Sequence, residues 1–387
     1  MPRLKPVVSL IGLFLTVTAL TVVSARAQQA PVKPTKPETP PSELPQPEKF
    51  PKELKVSGNR LRNSAGQEVW LQGVHVVSME WNPQGESVLA ATKEAIENWK
   101  ANVIRLSIKN DYWYGKGSKH IKQTDGGAAY RQLVDDVVNF AANRGAYVVL
   151  DHHCFGYVRE EHLPFWKELA EKYKNHPAVL FDIFNEPAGT TWEVWRNGGV
   201  IEKKKKAGTD EVAFLSAEEK AKSEAGPYSP GMQKLVEAVR ETGAKNIIIA
   251  GGLDFAYDLT GIAEGYALED KTGNGIMYAT HIYPWKRNWE KKILPVAAKY
   301  PIFVGEVGAQ EKKLSFIPAS AQENPYTWCP DVIAFIQKYR LNWTAFSFHP
   351  GAAPVMITDW SFNPTPFWGA FVKEALAGKQ FELKKMR

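Results

Sequence analysis

Two glutamates, Glu186 and Glu306, each follow an apolar run and have no solvated helix face to occupy. A charge at such a position needs a partner or a use, because leaving water uncompensated is costly. Other apolar runs end in polar groups too: Arg105 with Ser107, Asp151-His152-His153, Asn185 directly before Glu186, and His281 with Tyr283. Two carboxyl groups among an Arg, a phenol and imidazoles can divide the labour of acid and nucleophile, since unlike surroundings push their pKa values apart. One such residue alone is explained by a structural ion pair. Their shared place at run ends points to one site.

The elements that must position them are short, β-branched and aromatic runs alternating with longer amphipathic stretches, the pattern of βα units around a parallel sheet. The runs cover 69–77, 102–108, 145–151, 178–184, 245–251, 275–281, 301–306 and 342–348. Helices are expected over 87–99, 128–143, 163–174, 229–242 and 329–340, the last two with Pro230 and Pro330 in their first turns. Eight such strands predict an α/β fold, a (β/α)8 TIM barrel whose chemistry lies at the C-terminal ends of the strands. The gap between the fourth and fifth runs is long and predicts an insertion over 192–228. It contains Lys203 to Lys206, but residues 193–224 hold seven basic and seven acidic groups, the balance of a solvated excursion rather than an anion site. Residues 54–69 are expected to form an N-terminal hairpin around 63–66 that plugs the barrel base. No repeat or second domain is visible.

The chain has 387 residues, 44% hydrophobic and 23% charged, enough to bury a large core. Of its net charge of +6, Arg3, Lys5 and Arg26 account for half, so no nucleic-acid partner is expected. Two cysteines, Cys154 and Cys329, exclude a disulfide-dense scaffold and a Cys-rich metal cluster; their places at opposite sides of the barrel argue against a bridge. Arg3 and Lys5 precede an uncharged run over 7–23, and Ala25 and Ala27 follow, so 1–27 reads as a signal peptide. The expected location is secreted, periplasmic or cell-surface, an uncleaved anchor being the alternative. Residues 28–52, with eight prolines, read as a linker, leaving 53–387 for the barrel.

The ordered set Arg105, Asn185-Glu186-Pro187, His281 with Tyr283, and Glu306, at the second, fourth, sixth and seventh runs, resembles glycoside hydrolase family five, the cellulase and mannanase family of retaining barrel hydrolases. The resemblance covers about 54–376. It implies Glu306 as nucleophile and Glu186 as acid/base, about 5–5.5 Å apart. It further implies that Arg105 and Tyr283 keep Glu306 ionised, that Asn185 binds the sugar 2-hydroxyl, and that His153 and His281 line the central subsite. The implied activity is a secreted endo-β-1,4-glucanase acting with retention on a polysaccharide or oligosaccharide, as a monomer, without metal or organic cofactor. A mannanase or another β-glycanase or β-glycosidase is the alternative.

Two positions depart from the family pattern. Phe346 stands where a Trp usually forms a sugar platform after the eighth strand, and Trp343 cannot replace it, because an odd offset along a strand points to the other face. His75 stands where an Asn is common. Aromatics in the loops after strands, Trp81, Tyr112, Trp113, Tyr114, Phe155, Tyr157, Trp192, Trp195, Trp285 and Trp289, are expected to supply stacking surfaces, about half of them on substrate; Trp81 and Trp285 are the chosen contacts. His162 and His176 read as solvated, and His120 and His349 as possible cleft borders. Asp151-His152-His153 also fits a metal phosphoesterase pattern, but the other run ends lack the further Asp ligands that chemistry requires. The reading from a different class is a non-catalytic carbohydrate-binding barrel, expected to have lost one carboxylate; both are present.

Overall fold

Eight parallel strands close into a barrel in the computed structural model, which describes residues 36–202, 226–313, 315 and 317–387. In chain order they are β1 (Gln72–Val76), β2 (Val103–Ile108), β3 (Tyr147–His152), β4 (Val179–Asp182), β5 (Ile248–Gly251), β6 (Ile276–Ile282), β7 (Ile302–Val307) and β8 (Asn342–Ala345). Each pairs with the next, and β8 with β1, so no edge is left open. Helices α1 (Val88–Glu97), α2 (Ala128–Ala142), α3 (His162–Tyr173), α4 (Met232–Glu241), α5 (Trp289–Ala297), α6 (Pro325–Tyr339) and α7 (Gly369–Leu376) lie between or after the strands. The β5–β6 connection carries a short π-helical segment, Ile262–Tyr266, in place of a full helix. Helix α6 begins earlier than its sequence suggests: Asn324 caps it by accepting the Tyr326 N–H at 2.9 Å, Pro325 takes the first position, and Pro330 falls inside.

The period of two along each strand divides the molecule into two cores. Outward residues such as Ile104, Leu106, Val148 and Leu150 pack against the helices. Inward residues Val103, Val149, Leu180, Ile249, Met277 and Phe303 fill the barrel from below, joined by Leu54 and Leu61 of the N-terminal segment. That segment does close the base, though not around 63–66 alone. Leu54–Ser57 pairs with Arg60–Asn63 about a turn at Gly58, whose φ of 60° suits glycine, and a second turn leads into Glu68–Val69. Asn63 shapes the second turn by accepting the N–H groups of Ala65 and Gln67, each at 3.0 Å.

The Pro-rich stretch differs from a free linker over its last part. Ser42 Oγ donates to Asp136 at 2.9 Å, the Gln46 N–H to Asn143 at 2.8 Å, and Arg144 pairs with Glu43 at 2.9 Å. Packing against the barrel thus begins about ten residues before position 53. Composition reports low helix and strand propensity, and is blind to such side-chain anchors. The expected signal segment and Lys203–Lys206 lie outside the described residues. The ends of the insertion are visible as a short helix, Trp192–Asn197, and as Gly199–Val200 paired with Tyr228–Ser229. Among the described residues no helix is long and apolar enough to cross a membrane.

Candidate active site

Going up the barrel, the inward side chains change from apolar to polar. Above Val103 and Val149 come Arg105, Ser107 and Asp151, with Asp182 level with Asp151 on the next strand. Arg105 is fully buried, and its guanidinium organises the layer. Nε and Nη2 donate to Asp182 at 3.0 and 2.9 Å, Nη2 also to Asn185 at 2.7 Å, and Nη1 to Glu306 at 3.0 Å. Asp151 completes the cluster at 3.0 Å from Nη2. Burial opposes the Arg105 charge, but Asp151, Asp182 and Glu306 outweigh it and raise its pKa. Burial also lifts Asp182, to about 7.

Glu306 is held at both oxygens: Arg105 donates to Oε1, and the Tyr283 hydroxyl donates to Oε2 at 2.6 Å. Tyr283 is itself fixed by stacking on Trp285, ring centroids 5.0 Å apart and planes 4° from parallel. Among the described residues no Lys or Arg pairs with Glu186. Its Oε1 accepts from His281 Nδ1 at 2.9 Å, and burial pushes its pKa up to about 7. His281 is neutral because burial drives its pKa down to about 3, which makes Nδ1 the N–H donor. Ligand atoms of Glu186, His281 and Glu306 lie within 4.8 Å of one another, so the two carboxyl groups face each other across a short gap.

Room for this arrangement comes from Gly305, on the inward side of β7. A Cβ there would meet His281 Nε2 at 2.9 Å and lie 3.5 Å from Arg105 Nε. His75 is a second support: it is neutral through burial, accepts from Arg105 Nη1 at 3.1 Å, and donates to Ser107 at 2.8 Å. His153 behaves oppositely. Burial disfavours its charge, yet Asp151, 2.6 Å from Nδ1, raises its pKa to about 9, and Glu80 stands 3.4 Å from Nε2.

A cleft of about 640 Å³ opens above these groups, with Glu186, Glu306, His153, Tyr283, Trp285 and Phe346 in its wall. Phe346 faces His75 edge-on at 5.3 Å, while Trp343 is fully buried in the outer core, as the odd offset between them requires. Arg105, Asn185 and His281 are not in the cleft wall; Arg105 touches Glu306 and His281 touches Glu186, while Asn185 is held by Arg105. Trp81 is outside the cavity wall; 36% exposed, it meets His349 edge-on at 5.2 Å.

The expectation for loop aromatics needs correction. Tyr112, Trp113, Trp195 and Trp289 are core residues, and Trp192 packs on Trp195; Phe155 and Trp285 alone of the ten line the cavity. His162 is buried rather than solvated, because it faces the barrel from the first position of α3. His176 is half-buried against Phe50. His349 is buried beside Trp81 and Trp360, and His120 is exposed. Both cysteines are free.

Asp182, Glu80 and Phe255 escaped the sequence reading. Asp182 stands at an even offset from inward-facing Leu180, a charge inside an apolar run, and that was the available signal. Phe255, 49% exposed in the cleft wall, sits on a loop whose φ angles at Asp254, Phe255 and Ala256 are 57°, 59° and 59°. Nothing in the residue types announces that backbone.

A parallel eight-stranded barrel with two unequal carboxylates at its C-terminal mouth is the arrangement of a class, the barrel glycoside hydrolases. The family model described as Cellulase (glycosyl hydrolase family 5) matches residues 62–352, and the chain belongs to that family of glycoside hydrolases. It is 24% identical over 361 residues to Cellulase CelDZ1 of Thermoanaerobacterium sp, covering 84% of this chain and 80% of that protein. With Endoglucanase A of Butyrivibrio fibrisolvens it shares 31% over 152 residues, 37% of this chain and 34% of the relative's length. Among solved structures, a beta-glucanase from Saccharophagus degradans in complex with cellotetraose superposes with a TM-score of 0.65 at 21% identity, covering 88% of this chain and 98% of that one.

Proposed function

We propose that the protein is a secreted, retaining endo-β-1,4-glucanase with Glu306 as nucleophile and Glu186 as acid/base. The observation that carries this is the inequality of two close carboxyl groups. Glu306 accepts from a guanidinium and a phenol, whereas Glu186 has a neutral His281 as its partner and burial lifts its pKa to about 7. Contact within 4.8 Å suits a direct attack and leaves no room for the water that an inverting enzyme interposes.

In the first step Glu186 gives its proton to the glycosidic oxygen as the C1–O bond breaks, and a Glu306 oxygen bonds to C1. In the second, Glu186 takes a proton from water, the water oxygen bonds to C1, and Glu306 leaves as carboxylate. Asn185, its carbonyl fixed by Arg105, has a buried Nδ2 with no hydrogen-bond partner among the described residues, a donor suited to the sugar 2-hydroxyl. Phe346, Trp285 and Phe155 offer apolar faces for pyranose rings. The names of the relatives support a β-glucan as substrate.

The test compares Glu186→Gln and Glu306→Gln on an aryl glycoside with a good leaving group and on carboxymethylcellulose, mannan, xylan, xyloglucan and mixed-linkage glucan. Glu186→Gln should still be glycosylated by the aryl substrate and be accelerated by azide; Glu306→Gln should form no glycosyl-enzyme. The reverse pattern, or an inverted anomer as first product by NMR, would overturn the assignment. Higher turnover on mannan than on glucans would move the substrate and leave the mechanism.

A further inference from the structure

Adjacent residues on an extended chain point to opposite faces, so His152, which ends β3, and His153, which follows it, part company. His153 enters the cleft, and His152 turns outward against Phe165 and Trp166 of α3. There His152 is 1% exposed, and neither of its ring nitrogens has a hydrogen-bond partner among the described residues. A buried imidazole with both nitrogens unsatisfied costs stability, and calls for an explanation. Its neighbours supply one. His162, at the start of α3, meets it edge-on with ring centroids 4.8 Å apart, and Cys154 follows two residues later as a free thiol. One ligand atom from each of His152, Cys154 and His162 lies within 4.8 Å of the others.

We infer that His152, Cys154 and His162 form a binding site for one zinc-class divalent ion, with a fourth coordination place left to water. Two nitrogens and a sulfur are the donor set that borderline-soft ions prefer, and no hard-oxygen cage of the kind calcium or magnesium needs is present in this triad. Tetrahedral zinc sets such ligand atoms roughly 3.3–3.6 Å apart, so the triad closes on an ion by about 1 Å of side-chain adjustment. His152 has both ring nitrogens unpartnered among the described residues, and His162, whose Nδ1 accepts the Arg159 N–H at 3.1 Å, gives up that contact to turn a lone pair to the ion. Cys154 is only partly buried, which gives the ion a way in. On binding, the Cys154 S–H bond breaks, the proton passes to buffer, and the thiolate donates an electron pair to the metal, which stays divalent throughout.

The triad lies behind the candidate active site and shares its backbone. The His152 carbonyl accepts the Asn185 N–H at 3.1 Å, and the Cys154 carbonyl accepts the Glu186 N–H at 3.1 Å. An ion there would tie α3 to the segment that carries Glu186, and stabilise the folded chain by mass action.

The test needs no turnover. Cobalt(II) titrated into the reduced full-length protein should give one equivalent of binding with a thiolate-to-cobalt charge-transfer band and tetrahedral d–d bands. Calorimetry with zinc in buffers of different ionisation enthalpy should report about one proton released, and zinc should raise the Tm. Cys154→Ala should abolish the band, and His162→Gln should weaken binding at least tenfold. Should either variant fold poorly, zinc must still slow alkylation of Cys154 in the unmodified chain, where Cys329 is fully buried. Absence of the charge-transfer band, its persistence in Cys154→Ala, or zinc that leaves alkylation unchanged overturns the site. Cobalt bound without the band would place the ion on the cleft carboxylates, and is equally a refutation.

Discussion

Replacing Glu186 by Gln should make the protein more stable at neutral pH, and by an amount that depends on pH. The carboxyl group titrates near 4.5 when free and near 7 in the fold, because burial disfavours its anion. At about 1.4 kcal/mol per pKa unit, keeping Glu186 ionised above pH 7 costs the native state roughly 3 kcal/mol. The side chain is 14% exposed, so solvent screening reduces this little. The native state binds the extra proton between pH 4.5 and 7, so the stability is fully present below about 4.5 and is lost as pH rises to about 7. Gln cannot ionise, and its amide oxygen can still accept from His281 Nδ1. At this chain length 1 kcal/mol moves the Tm by about 1–2 °C, so the variant should melt about 3–6 °C above the parent at pH 7.5 and nearly level with it at pH 4.5. Scanning calorimetry of both proteins at one scan rate across this range measures the difference. Two parallel Tm curves would mean that Glu186 titrates as an ordinary carboxyl group, and would remove the physical basis for its role as proton donor.

Three other outcomes follow from the same geometry. Phe346→Ala should lower kcat on the best glycan by about 10- to 100-fold, or about 1.4–3 kcal/mol, with little change in Tm, because the ring lines the cleft rather than the outer core; a large fall in Tm with kcat per folded molecule unchanged would contradict this. Gly305→Ala puts a methyl group 2.9 Å from His281 Nε2, and should cost about 1–3 kcal/mol of stability while shifting the pH profile of kcat, as His281 moves against Glu186; an unchanged profile would show that the ring gives way freely. Exported protein should begin at Gln28 by N-terminal sequencing, whereas a retained Met1 or Pro2 in membrane fractions would mark 7–23 as an anchor.

The eight strands could be read from the chain because each is a short apolar run set off by turn residues, and short-range alternation carries that information. The same rule of two explains why Phe346 and Trp343 part, and why His153 and His152 do. What occupies the two faces is a different matter, since that depends on residues far away in the chain. Arg105 joins Asp151, Asp182, Asn185 and Glu306, drawn from three other segments, only after the barrel closes, and Asp182 within its apolar run looks out of place until that guanidinium is opposite it. Loop tryptophans show the limit most plainly. Trp113 and Trp285 both follow strands, yet one is sealed in the core and the other borders the cleft, because burial is set by which helix or loop packs over the ring. Local sequence determined residue type, face and order along the chain; the distances that tune Glu186 against Glu306, and the burial that leaves the His152 ring nitrogens without hydrogen-bond partners among the described residues, were decided by tertiary closure, since desolvation and Coulomb forces depend on everything within a few ångströms, whatever its place in the sequence.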